Sequence, residues 1–302
     1  MRKTRIAGAL AGIAIAALAL AGCNSGTPGA EPGDGDGEGT SENPWTVASD
    51  VSLEGSPTFD AISERGKVRV GVKEDQPNLG YLDPTTGERS GFDVDIARWI
   101  AASLGYDEGD IEFTAIDSAA REDAISRGQV DYYVGTYSIT DARKELISFA
   151  GPYFITGQGL LVAADNTTIT DKDSLTADVT VCSATGSTSI QRIKDETPAK
   201  TVEFAKYSEC VEALKNGQAD AVTTDEAILI GYAAQDPDNL KVTGEVFSEE
   251  RYGVGIAKGD TALQEHINTL FTDGGDVWQA IFDKNLGAAG VEGKQPAVDP
   301  VG

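Results

Sequence analysis

A near-repeat 89 residues apart limits what this 302-residue chain can fold into. Gly128-Gln129-Val130-Asp131 runs into the apolar stretch Tyr132–Val134, and Gly217-Gln218-Ala219-Asp220 runs into Ala221–Thr223. Each copy reads as a helix that stops at glycine, followed by a strand. In the repeat register Thr136 of the first copy is matched by Asp225 of the second. Two units built alike, each ending its strand in polar groups, predict two α/β lobes that present those strand ends to a shared crevice. An apolar content of 40% is enough to fill two cores of that size.

The first copy continues through Thr136, Ser138 and Thr140 to Arg143. Hydroxyls followed by a guanidinium suit a planar carboxylate, which arginine grips through two parallel charge-assisted bonds. Residue type alone leaves a second reading open, in which Arg143 is a surface or capping charge. Arg121, in the first turn of the helix after the strand Ile111–Ala115, either points into the same crevice or is solvated. Ser118 is the expected N-cap of that helix.

The strand Lys67–Lys73 leads into a loop from Glu74 to Tyr81, and Gly91–Ile96 opens a helix with Phe92, Ile96, Trp99, Ile100 and Leu104 on one face. Asp93 and Asp95 are expected to cap its N-terminus. Phe154–Ala163 is the strand expected to leave the first lobe. The second lobe then alternates through strands at Val179–Cys182, Thr201–Phe204 and Ala219–Thr223, with helices between them. The loop Ala184–Ser189, before a helix, offers small residues and free backbone N–H groups for an anion. It lacks the P-loop lysine and the GxGxxG spacing, so no nucleotide site is supported. Asp225 is placed to accept from an ammonium or to cap the following helix. A strand at Tyr252–Ala257 and helices at Ala262–Phe271 and Val277–Phe282 precede a Gly/Pro/Val-rich tail.

Arg2, Lys3 and Arg5 precede an uncharged run from Ile6 to Ala21, and Leu20-Ala21-Gly22-Cys23 follows. This resembles a bacterial lipobox, which implies cleavage before Cys23 and lipidation of that residue. Loss of residues 1–22, with three basic groups and no acid, takes the net charge from −25 to −28. So acidic a chain is a poor partner for nucleic acid or for a phospholipid surface. Residues 24–56 hold seven acids, no base and many Gly, Pro and Ser residues, and are expected to form a flexible tether spanning roughly 30 Å. Trp45 is its exception, an aromatic suited to transient contact with the body. Cys182 and Cys210 remain as an even pair in an exported chain, which favours a disulfide. No histidine lies near either, against a metal or a catalytic thiol, and His266, the chain's only histidine, reads as a solvated or half-buried helix residue.

Taken in order, GVKEDQP, GFDVDIA, a helical arginine, GQVD, GTYSITDAR, FAGPYF, an SATGST loop and ADAVTTD resemble the amino-acid-binding lipoproteins of ABC importers, in particular an actinobacterial glutamate-binding group that shares both cysteine positions. The resemblance runs from about Ile62 to Gly287. It implies an α/β, two-lobed fold of the type II periplasmic-binding-protein kind, its lobes joined by two hinge strands. The implied layout is a signal peptide at 1–22, a lipidated tether at 23–56, lobe one at 57–160 and 251–288, lobe two at 161–250, and a tail at 289–302. The same resemblance assigns the ligand α-carboxylate to Arg143, Ser138, Gly186, Ser187 and Thr188, and the α-ammonium to Asp225 and Thr136. Lys73, Arg121, Gln76 and Thr224 would face the ligand side chain, and Lys73, where neutral-ligand relatives carry an acid, points to an anionic one.

The resulting expectation is a monomeric, lipid-anchored receptor on the outer face of the cell membrane. It would bind glutamate, or next aspartate, without cofactor or metal and hand it to an ABC permease. The alternatives are a glutamine or asparagine receptor, an enzyme of the same fold such as a cyclohexadienyl dehydratase, and a receptor sensor domain, which would need a membrane-spanning or effector segment after Gly287.

Overall fold

The computed structural model describes residues 43–301. Cys23, the expected signal peptide and most of the expected tether lie outside them. Two five-stranded sheets carry the fold. In the first, the order is Ile111–Ala115, Val68–Val72, Tyr132–Tyr133, Glu250–Ile256, Ser148–Thr156; in the second it is Lys200–Phe204, Thr180–Ala184, Ala221–Asp225, Gln158–Ala163, Leu240–Thr243. The first three strands of each are mutually parallel, and the fourth runs antiparallel to its neighbours on both sides. The middle strand of each parallel trio is the first in sequence, so both sheets have the reversal of strand order outside which open α/β sheets hold ligands.

The repeat has a structural cause. Gly128 and Gly217 adopt φ of 62° and 68°, the left-handed conformation that ends their helices. Each following aspartate then clasps the neighbouring parallel strand. Asp131 donates its backbone N–H to the carbonyl of Arg69 at 2.7 Å, and its Oδ2 accepts the Arg69 N–H at 2.7 Å. Asp220 does the same with Thr180, at 2.8 and 2.7 Å. The clasp sets the register at the start of both strands, and so fixes where their far ends emerge.

Two strands cross between the sheets. The expected single strand Phe154–Ala163 is instead two, Ser148–Thr156 and Gln158–Ala163, which join the two sheets on either side of Gly157. A Cβ on Gly157 would lie 2.5 Å from the carbonyl oxygen of Ser248 on the returning crossover, so the two crossings touch backbone to backbone. The disulfide Cys182–Cys210, with Cα atoms 5.4 Å apart, ties the strand Thr180–Ala184 to the helix Tyr207–Lys215.

Several local expectations are corrected. Phe92, Ile96, Trp99, Ile100 and Leu104 are buried as their spacing requires, but neither Asp93 nor Asp95 caps the helix Phe92–Ser103. Asp93 is fully buried and accepts from Tyr153 Oη at 2.7 Å and from the Thr136 N–H at 2.9 Å. Asp95 pairs with Arg98 and Lys284, each at 3.0 Å. Trp45 is buried in the core beside the partly buried Val51 and Leu53, and Ala48 N–H donates to Ala102 at 2.9 Å. The apolar surface that these three bury offsets the ordering of an otherwise polar segment. The tail is anchored too: Asp299 N–H donates to the carbonyl of Gly151 at 2.8 Å, and its carboxylate meets Arg251 at 2.6 Å. His266 is half-buried, 3.0 Å from Ser103 Oγ.

Candidate functional site

The C-terminal ends of the parallel strands deliver one wall from each sheet. On the first wall Lys73 follows Val68–Val72, and Ser118 and Arg121 follow Ile111–Ala115. Thr136 follows Tyr132–Tyr133. Lys73 is 5% exposed and donates from Nζ to Ser118 Oγ at 2.8 Å. Ser118 therefore does not cap the helix as expected; its hydroxyl is taken by the lysine. Arg121 is 2% exposed, donates from Nε to the Ser118 carbonyl at 2.9 Å, and stacks 4.2 Å over the Tyr137 ring. Of the two readings the sequence left open, the buried one holds.

Arg143 is also buried. Its guanidinium donates to Glu122 Oε1 at 3.1 Å, to the Ser138 carbonyl at 2.7 Å and, across to the second sheet's loops, to the Gly186 carbonyl at 3.2 Å. It lies 4.9 Å from the Tyr137 ring, so both guanidinium groups rest on one aromatic. Thr136 sits at φ 45°, held there by Asp93, and its hydroxyl donates to Gln76 Oε1 at 3.1 Å. The amide nitrogen of Gln76, fully buried, has no partner.

On the second wall Ser187 caps the helix Thr188–Glu196, its Oγ accepting from the Ile190 N–H at 3.1 Å. The Thr188 hydroxyl is engaged elsewhere, donating to Glu250 Oε2 at 3.1 Å. Asp225 precedes the helix Glu226–Gln235 but makes no side-chain cap bond. One of its oxygens accepts from Tyr252 Oη at 2.6 Å and the other, like the buried hydroxyl of Thr224, has no partner among the described residues. Tyr207 stands beside Thr224, Ser187 and Asp225; burial pushes its phenol up, and the Asp225 carboxylate adds to the rise.

The two walls are in contact. A Cβ on Gly186 would lie 2.7 Å from Ala119 Cα. Lys206 pairs with Glu74 at 2.5 Å, the Ser208 N–H donates to Asp75 Oδ2 at 3.0 Å, and Tyr232 Oη donates to the Asp75 carbonyl at 2.5 Å. The crevice is closed. Closure sets the charges at odds with their surroundings. Burial, then Arg121, pushes Lys73 down to about 7, against the pull of Asp75 and Asp117. Burial, then Glu250, pushes Asp225 up to about 7. Burial and Arg121 also lower Arg143. Buried ions without partners are costly, and unpaired buried polar atoms are rare in native structures. A polar guest with an anionic and a cationic end would satisfy both walls.

The structure thus brings together Lys73, Gln76, Arg121, Thr136, Ser138, Arg143, Gly186, Ser187, Thr224 and Asp225, and turns the Thr188 hydroxyl towards Glu250. Sequence reasoning missed Ser118 as the lysine's partner, and Tyr137, Tyr207 and Tyr252. Only Tyr207 carries a local signal, lying three residues before the bridged Cys210.

Comparison with known proteins agrees with the ordered motifs. Residues 68–287 match the model for bacterial extracellular solute-binding proteins, family 3. The glutamate-binding protein GluB of Corynebacterium efficiens is 40% identical over 248 residues, covering 78% of this chain and 83% of its own. The ABC transporter glutamine-binding protein GlnH of Bacillus subtilis is 40% identical over 212 residues, 70% of this chain and 77% of its own. Among solved structures, a solute receptor for L-cysteine of Neisseria gonorrhoeae superposes with a TM-score of 0.70 at 29% identity, covering 78% of this chain and 96% of its own. These relatives are transport binding proteins, and their fold is the two-lobed α/β arrangement described above. The chain belongs to family 3 of the bacterial extracellular solute-binding proteins.

Proposed function

We propose that this protein captures an acidic amino acid, glutamate before aspartate, between its two lobes and delivers it to an ABC permease. One observation carries the reading: three buried cations, Lys73, Arg121 and Arg143, stand on one wall while Asp225 on the other keeps a carboxylate oxygen unpartnered. In this reading Arg143 takes the α-carboxylate, with Ser138, the backbone at Gly186, and Ser187. Asp225 takes the α-ammonium with Thr136. Lys73 and Arg121 face the distal carboxylate, and Gln76 and Thr224 supply the remaining hydrogen bonds. The Thr188 hydroxyl is engaged by Glu250, so its contribution to the α-carboxylate comes from its backbone N–H, in the first turn of the helix Thr188–Glu196. Lipidation at Cys23 would hold the receptor, as a monomer, at the outer face of the membrane. Asp225, the acid an enzyme of this fold would need, is already given to the ammonium.

A micromolar constant corresponds to about −8 kcal/mol, which two charge-assisted contacts at each end of the ligand can supply after the entropy of closure. Calorimetric titration of the intact protein with glutamate, aspartate, glutamine and asparagine tests the reading. Glutamate is expected to bind tightest, and Arg143→Ala to weaken every ligand at least thirtyfold, on the order of 2 kcal/mol for one partner of a buried charged bond. No heat with any of the four would overturn it. The amide reading draws on the glutamine-binding relative and on the depressed Lys73, whose proton is the lightest held of the three cations.

A further inference from the structure

The acid and amide readings meet at one side chain. Lys73 Nζ has three donors and makes one hydrogen bond, to Ser118 Oγ. The charged groups around it come from five helices and strands and one loop. Arg121 and Arg143 approach from the helices Arg121–Ser126 and Asp141–Lys144. Asp75, from the strand Asp75–Gln76, is engaged by Tyr232 and Ser208. Asp93, from the helix Phe92–Ser103, is engaged by Tyr153 and Thr136. Asp117 lies in the loop after Ile111–Ala115. Arg89 touches only the Lys73 backbone carbonyl, at 3.3 Å. Asp75 and Asp93 thus already accept from other donors, among the described residues no carboxylate pairs directly with the lysine, and both guanidinium groups repel it.

Building on the function proposed above, we infer that the charge on Lys73 selects between acid and amide on one ligand skeleton. With the lysine protonated, the closed crevice takes an anionic side chain; once Lys73 gives up its proton, the same crevice takes a neutral amide. In the open protein the ammonium is solvated and keeps its proton. A distal carboxylate holds that proton in place on closure. A neutral amide leaves the ammonium buried beside Arg121 and Arg143 with no ion-pair partner, the pull of Asp75 and Asp117 being outweighed by burial and Arg121, and closure then expels the proton to solvent. The lysine held down to about 7 by burial and Arg121 is consistent with this. Arginine in the same place could not do this, because its guanidinium does not deprotonate in proteins.

The test is the ratio of the glutamine and glutamate dissociation constants between pH 6 and 8.5, measured by calorimetry on the intact protein in two buffers of different ionisation enthalpy. Glutamate is fully ionised at its side chain throughout, and Asp225, common to both ligands, cancels in the ratio. The ratio is expected to stay level below about pH 7 and to fall above it, approaching about tenfold per pH unit, with proton release accompanying glutamine and not glutamate. Lys73→Met should flatten the ratio at a low value and Lys73→Arg at a high one. A ratio independent of pH in the parent protein, or a slope that survives in both variants, overturns the inference while leaving the receptor reading standing. Failure of both ligands to bind at every pH overturns the two together.

Discussion

Tyr252 Oη donates to Asp225 Oδ2 at 2.6 Å, and the tyrosine comes from the strand Glu250–Ile256 of the first sheet while the aspartate ends a strand of the second. A returning crossover strand thus holds one oxygen of the second wall's carboxylate and leaves the other buried without a partner among the described residues.

Asp225 should therefore weaken the closed form when it encloses no cation. Its folded pKa is raised from 3.8 to about 7, so the native state keeps a proton that the unfolded chain releases. Stability contributed this way is present below about pH 4 and is lost as pH rises through about 7. Asp225→Asn is expected to stabilise the closed form of the ligand-free protein at pH 8, on the order of 1–3 kcal/mol, and so to raise the melting temperature there and flatten it between pH 4 and 7. Asp93, raised by burial to about 6, titrates in the same direction and should leave a residual slope. Melting curves of both proteins across that range, with ligand titrations showing lost binding, check this.

Gly186 should be needed for closure more than for folding. Its φ of 77° makes any Cβ unfavourable by about 1–2 kcal/mol, and here the Cβ would also strike Ala119 across the crevice. Gly217 is the control, with φ of 68° and open space around the added atom. Gly186→Ala and Gly217→Ala are expected to lower the ligand-free melting temperature alike, while only the first weakens ligand binding, by tenfold or more. Equal affinities would show that the walls need not approach this closely.

Tyr232 and Asp75 also join the lobes. Tyr232→Phe removes the hydroxyl that donates to the Asp75 carbonyl, worth about 1 kcal/mol. Stopped-flow fluorescence should show ligand leaving about fivefold faster with an unchanged association rate.

Reducing the Cys182–Cys210 bridge opens a loop with a sequence separation of 28, which should destabilise the protein by roughly 3–4 kcal/mol in a denaturant titration. Because the bridge ties the helix bearing Tyr207 to the strand that leads to Ser187, ligand affinity should weaken as well, by less than tenfold.

The opposed charges at 143 and 225 were legible because strand ends follow from local apolar runs, and the repeat placed two such ends alike. The buried state of Arg121 was not legible, since a helical arginine in water and one stacked on Tyr137 share the same local pattern. Ser118 followed the rule for a helix cap until a lysine 45 residues earlier claimed its hydroxyl. The two- and three-residue strands between Asp75 and Ser90 are too short to show a period. The anchoring of the tail depends on Arg251 and Gly151, distant partners that its composition does not reveal.

The paired clasps made by Asp131 and Asp220 have a mechanical consequence. Each bond closes within its own sheet, so neither is stretched when the halves swing apart. Rotation can then fall on the touching crossovers at Gly157 and Ser248, where the backbone bends without unpicking either ladder. Each clasp thus belongs to one half alone, and the strand register it sets does not depend on how far apart the halves stand.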